Sequence, residues 1–339
     1  MKTAFAALIA LAFAAPAVAQ DAKNTDQVEE AENLLPPAGS KVGNISGDDG
    51  KASLARRANY AEAMNEVAER QKVFAGEPVH FTLDGSFAQG GLLFGQTEIG
   101  ATAKLDGDEV MVDDDGRFIL GFGRDAAPTA LLVVTLPDGT VERRAIEIED
   151  REFPTQRIDG LDQSKVSGFT EEQLAKIAKD SALKKAARQE TQRIADWSVG
   201  FDWPVTGRIS GVFGSQRILN GEPKRPHSGL DIAAPAGTPI HAPAPGIVRL
   251  AETGMYFEGG LVLLDHGHWL ESAFLHMSRI DVEPGQRVEK GDVIGAVGAT
   301  GRATGPHLHW SIKWKGMLVD PQLTLDPLEP VKAAASAGK

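Results

Sequence analysis

Residues 288–310 read VEKGDVIGAVGATGRATGPHLHW, and the stretch ends in two histidines separated by one leucine. An extended backbone puts residues i and i+2 on the same face. His307 and His309 then point one way and Leu308 the other, into a core. The glycines of GATGRATGP let the chain turn tightly just before the pair. Upstream, residues 227–248 read HSGLDIAAPAGTPIHAPAPGIV. The spacing of His227 and Asp231 would also suit one face of a helix. Pro226, Gly229 and Pro235 oppose a helix there. The reading is a turn leading into a short strand, with both side chains aimed at one point. The chain keeps this texture from Phe201 to about Leu325, dense in Gly, Pro and β-branched residues. A domain of short strands and tight turns is therefore expected over 201–325.

Histidine is the chemical signal in this domain. The chain has eight histidines, and seven fall between His227 and His309. Zinc needs several such groups converging. With no cysteine in the chain, a metal must bind through His, Asp or Glu. Two histidines and an aspartate make three ligands and leave a fourth tetrahedral position for water, the open arrangement of a catalytic site. Such an ion polarises a carbonyl and lowers the pKa of its water to about 7. Hydrolysis also needs a proton acceptor. The chain contains no HExxH, so no glutamate base of that kind is available. The free imidazoles are the substitutes: His307, on the face of His309, and His276, in AFLHMS after an expected strand. A neutral imidazole takes a proton near pH 7, and a donating one steadies an oxyanion.

These residues resemble the lysostaphin-like, or LytM-type, zinc metallopeptidases, the peptidoglycan endopeptidases of peptidase family M23. The resemblance covers about residues 205–322. It rests on HSGLDIAAPAGTPIHAPAPGIV, LVLLDHGHWLESAFLHMS and VEKGDVIGAVGATGRATGPHLHW together. It implies an antiparallel β-sheet peptidase domain. It also implies one zinc ion held by His227, Asp231 and His309, with His276 and His307 acting in catalysis. The implied substrate is a peptide bond in the cross-links or stem peptides of bacterial peptidoglycan. Two departures stand out: Phe274 occupies a position where the family often has Tyr, and Trp310-Ser311 replaces the commoner Phe-Glu after HLH.

The remaining histidines have blander readings. His241 is expected at the rim or surface. His266 orients a turn or a neighbouring group rather than binding metal, and His268 shares its strand-to-turn junction. His80 is incidental. Asp265 has two readings, a hydrogen bond to a catalytic imidazole or a turn-forming role. The run GQRVEKGDVIGAVG also resembles a lipoyl or biotinyl carrier, but a modifiable Lys at a hairpin tip with the expected neighbours is not found.

The rest of the chain divides by composition. Residues 1–19 read as a signal peptide, with Lys2, an apolar run from Ala4 to Ala15 and the small-residue site Ala17-Val18-Ala19. The rival is an uncleaved anchor helix. Export to the periplasm is the expected location, without stable membrane insertion after signal removal. Residues 20–75 read as a flexible lead-in with a helix over 52–72. Residues 76–152 carry short β-rich runs and the turn pairs Asp106-Gly107, Asp115-Gly116 and Asp138-Gly139. They read as a small antiparallel, immunoglobulin-like sandwich. Residues 170–196 read as a connecting helix opened by a capping box at Thr170, with Leu174, Ile177, Ala178 and Leu183 on one face. Residues 326–339 read as a disordered tail.

The whole chain is 339 residues with a net charge of −12, which argues against a nucleic-acid partner. The expected function is a secreted zinc metalloendopeptidase acting on peptidoglycan, with regulatory contact between sandwich and peptidase domain as a possibility to test. The alternatives are a non-catalytic wall-binding or hydrolase-activating protein on the same fold, and an adhesion module in which the sandwich is the principal actor.

Overall fold

The computed structural model of the chain describes residues 42–43, 80–158 and 169–325. The signal segment, the tail and the helix expected over 52–72 lie outside the described residues. So does most of the lead-in, of which only Val42–Gly43 is described, paired with residues 157–158.

Among the described residues the fold is mostly β with one α-helix. Seven strands build the N-terminal part: β1 Phe81–Gly85, β2 Leu92–Thr97, β3 Thr102–Leu105, β4 Asp108–Val110, β5 Arg117–Gly121, β6 Thr129–Thr135 and β7 Val141–Glu147. They form two antiparallel sheets, ordered β1-β2-β5 and β4-β3-β6-β7. Strict alternation drives this: in β6, Ala130, Leu132 and Val134 are buried and their neighbours are half-exposed. Asp106 and Gly107 join β3 to β4, both at positive φ (50° and 93°), as a two-residue hairpin turn requires.

The C-terminal sheet is made of β8 Arg208–Gly211, β9 Leu230–Ala233, β10 Gly246–Met255, β11 Gly259–Asp265, β12 Leu270–Leu275, β13 His307–Trp314 and β14 Met317–Val319. Its spatial order is β8-β9-β13-β12-β11-β10, with Arg287–Val288 at the β10 edge and β14 beside β13. All these pairs are antiparallel. Elsewhere Thr155–Ile158 runs parallel beside Gln216–Leu219.

One face of this sheet is the core. Leu230, Ile232, Val262, Leu264, Phe274, Leu308, Trp310 and Ile312 meet there. Leu92 and Ile119 of the β1-β2-β5 sheet belong to the same cluster. Gly121 completes the junction, since a Cβ there would lie 2.9 Å from the Trp314 ring. The two parts therefore share a core rather than hang on a linker.

The opposite face carries Asp231, Leu261, Leu263, Ala273, Leu275, His307 and His309 by register. Helix α1, Glu171–Ala187, covers its apolar end, with Leu183 and Ala187 on Leu261, Leu263 and Ala273. This is why β11, GGLVLLD, is buried along its whole length.

The expected helix over 170–196 is shorter, and its buried face differs. Thr170 caps it through the capping box, but it ends at Ala187. Beyond Arg188, Thr191 Oγ1 and the Gln192 N–H donate to the Asp265 carboxylate, which pulls the chain off the helix axis. Ala178 is exposed, and the buried residues are Ile177, Asp180 and Lys184.

Candidate metal centre

Asp231 on β9 lies directly opposite His309 on β13, and Leu275 on β12 opposes His309 from the other side. His276 therefore follows at the strand end beside the pair. His227 lies in the loop before β9. Its N–H donates to the Ser215 carbonyl and its own carbonyl accepts from Gly214, each contact 2.8–2.9 Å. Gly211 on β8 gives the carboxylate room, because a Cβ there would lie 2.5 Å from Asp231 Oδ2.

Three donor atoms converge. His227 Nε2 is 3.1 Å from Asp231 Oδ1 and 3.2 Å from His309 Nδ1, and His309 Nδ1 is 2.8 Å from Asp231 Oδ1. Among the described residues this is the group of His, Asp and Glu side chains close enough to hold an ion together. Donors about 2.1 Å from a tetrahedral ion sit about 3.4 Å apart, so the trio fits a divalent cation with little adjustment.

The surrounding contacts orient the rings. A carbonyl only accepts, so a ring nitrogen facing one must carry the proton. His227 Nδ1 donates to the Val212 carbonyl at 3.1 Å, His276 Nδ1 to that of Thr300 at 2.9 Å, and His307 Nδ1 to that of Gly305 at 2.8 Å. Each neutral ring then presents its Nε2 lone pair. His309 is turned the other way: its Nε2 faces Ser228 Oγ at 3.2 Å and its Nδ1 faces the carboxylate. Such partners set the tautomer and the basicity of a metal-binding imidazole.

Burial acts to raise the Asp231 carboxyl, but its contacts with His227 and His309 outweigh this and hold it well below the ordinary carboxylate range. Burial lowers His309, and the Asp231 charge only partly offsets it. Burial, reinforced by the charges of His309 and His307, pushes His276 down to about 4. His276 is thus a neutral imidazole at neutral pH. Its ring centroid is 4.8 Å from that of His307 and 6.3 Å from that of His309. His307 Nε2 is 3.8 Å from Asp231 Oδ1. All five residues singled out from the sequence line one cleft of about 1700 Å³. Arg124 of the sandwich and Lys184 and Arg188 of the helix region also line it.

The other histidines stand apart. His266 is fully buried, with Nδ1 donating to the Pro245 carbonyl and Nε2 facing Ser272 Oγ. His268 Nε2 donates to the Arg193 carbonyl, and His241 Nδ1 to that of Gly291. His80 faces Glu98 in the sandwich. Asp265 makes no hydrogen bond to His276 or His307; it accepts from Thr191, Gln192, Gly267 and Arg249, so the turn-forming reading stands and the imidazole reading is corrected. Phe274 is fully buried on the core face, two residues before His276 and pointing away from the cleft. The sequence reading missed Ser228, although a hydroxyl adjoining the expected His227 ligand was a usable signal. It also missed the three orienting carbonyls, which have no residue-type signature.

Comparison with known proteins agrees with this architecture. The model for peptidase family M23 matches residues 225–321. The peptidoglycan DD-endopeptidase ShyA of Vibrio cholerae is 41% identical over 115 residues, covering 33% of this chain and 26% of that protein. The DD-carboxypeptidase/endopeptidase Mpg of Neisseria meningitidis is 40% identical over 118 residues, covering 34% of this chain and 27% of that protein. The chain therefore spans only about a quarter of the length of these relatives. A crystal structure of a Pseudomonas aeruginosa protein assigned to peptidase M23 aligns over 70% of this chain and 94% of its own, with 33% identity and a TM-score of 0.54. That alignment reaches well beyond residues 225–321, and with it the chain belongs to peptidase family M23.

Proposed function

We propose that the protein is an exported zinc metalloendopeptidase that hydrolyses peptide bonds in the cross-links or stem peptides of bacterial peptidoglycan. The observation that carries this reading is the convergence of His227 Nε2, Asp231 Oδ1 and His309 Nδ1 in an open cleft. These three atoms would hold the ion. A bound zinc ion supplies Lewis acidity, polarising the scissile carbonyl and acidifying a water to a pKa of about 7.

The chain's own groups do the rest. His276, neutral and with its Nδ1 proton tied to Thr300, accepts a proton at Nε2. His307, fixed in the same tautomer by Gly305, stands beside His276 with ring centroids 4.8 Å apart, and after taking up the proton released by the water it would donate from Nε2 to the developing oxyanion or to the leaving amine. Ser228 holds the His309 ring in its reversed orientation.

The names of ShyA and Mpg support the substrate class. Among the described residues no helix is long and apolar enough to cross a membrane. The expected signal segment is what supports export. The strand order of the N-terminal sheets, with the first, second and fifth strands in one and the others in the second, supports reading that part as an immunoglobulin-like module. The intact donor trio weighs against a non-catalytic wall-binding role.

The test is mass analysis of purified cross-linked muropeptides after digestion, with and without a chelator. New peptide termini that vanish on chelation and return with added zinc are expected. No cleavage by zinc-loaded protein overturns the reading.

A further inference from the structure

His276 sits in a costly backbone conformation, with φ at +65°, and something must hold it there. Its backbone N–H donates to the Glu258 carbonyl at 2.8 Å, and its ring is tied to the Thr300 carbonyl at 2.9 Å. Thr300 is itself pinned, with Oγ1 accepting from Gly260 N at 2.9 Å and donating to the Met277 carbonyl at 2.8 Å. The place of the imidazole is therefore set by the β10–β11 turn, residues 256–258, and the first residues of β11.

Helix α1 grips that turn from outside the sheet. Asp180 Oδ2 accepts the Tyr256 N–H at 2.7 Å. Lys184 pairs with the Glu258 carboxylate, and Ile177 packs on Phe257. Asp180, Lys184 and Glu258 are all buried. Glu258 Oε2 is shielded from solvent and has no hydrogen-bond partner, so the carboxylate is anchored through its other oxygen. Buried ion pairs contribute little net stability, and apolar replacements often serve better. What this pair adds is a directed contact at one point of the turn. The helix lies wholly outside residues 225–321, the part matched by the family model.

We infer that Asp180 and Lys184 are positioning residues: through Tyr256 and Glu258 they hold the turn that places His276 against the substrate. The inference rests on the proposed role of His276 as proton carrier.

The experiment uses the full chain, comparing Asp180→Ala and Lys184→Met with the conservative Asp180→Asn and Lys184→Arg. In the disruptive pair, kcat should fall about tenfold or more with KM within about twofold, as for a misplaced catalytic group. Bound zinc should be unchanged, and the His276 amide should exchange its hydrogen at least about tenfold faster. The conservative variants should recover most of both losses. Wild-type kcat and wild-type His276 exchange in the disruptive pair would overturn the inference. Should those variants fail to fold, Lys184→Met combined with Glu258→Met removes the pair without leaving a buried charge. A positioning role requires kcat to drop there while the melting temperature holds, and full kcat would refute it. If the wild-type protein cleaves no muropeptide, the proposed function fails, and the His276 exchange comparison still decides whether the helix holds the turn.

Discussion

His266-Gly267-His268 and His307-Leu308-His309 have the same spacing in the same domain, and their side chains end in different places. In the first, Gly267 and His268 adopt φ of +87° and +53°, which breaks the alternation of an extended chain. The two rings separate, one to the Pro245 carbonyl and Ser272, the other to the Arg193 carbonyl. In the second, the triplet opens strand β13 and its backbone is extended, so both rings share the cleft face while Leu308 enters the core. Spacing alone does not make a metal site. It needs an extended backbone, an open face and a neighbouring strand that delivers an acid in register, as β9 delivers Asp231.

Substitutions test this contrast, with effects on metal affinity that fall from His309 outward. His309→Ala removes a donor, and bound zinc and muropeptide cleavage should both drop by more than about a hundredfold, beyond the loss typical of an outer contact. Full metal content in that variant would dissolve the distinction between the triplets. Gly211→Ala should come next, because the added Cβ lies 2.5 Å from Asp231 Oδ2 and displaces the carboxylate. Chelator competition should show weaker zinc binding without loss of fold. Ser228→Ala leaves all three donors but frees the His309 ring, and should weaken zinc by about 10- to 100-fold in the same assay. His266→Gln should leave metal affinity unchanged.

His266→Gln should instead alter the response to acid. Burial lowers the His266 imidazole from its ordinary 6.5. The unfolded chain takes up that proton near pH 6.5 while the folded chain does not, so stability is full above that pH and falls as pH drops below it. Denaturant unfolding between pH 7 and pH 5 should therefore show a shallower loss for His266→Gln than for the wild type. Equal slopes would mean that His266 carries none of the acid sensitivity.

How far these features were legible in the sequence follows from the physics of each. The alternation of His307, Leu308 and His309 was readable because a strand has a period of two. The turn at Asp106-Gly107 was readable because few residue pairs tolerate positive φ twice. The buried face of helix α1 was not, because looking for an apolar stripe passes over Asp180 and Lys184, which are buried through partners 76 and 74 residues away. The length of that helix was overread for a related reason. Residues 189–195 contain no strong breaker, and the contacts that hold residues 191–193 off the helix come from Asp265, His268 and Trp269, all distant in sequence. Asp265 itself was ambiguous until its partners were visible.

The core shared by the sandwich and the peptidase sheet bears on how the molecule comes apart. Leu92, Ile119 and Trp314 belong to one cluster, and Gly121 lets the Trp314 ring close on the sandwich. Neither part can open without stripping apolar surface from the other. Heating should then give one heat-capacity peak rather than two, with the N-terminal sheets and the strands that carry Asp231 and His309 melting as one cooperative unit.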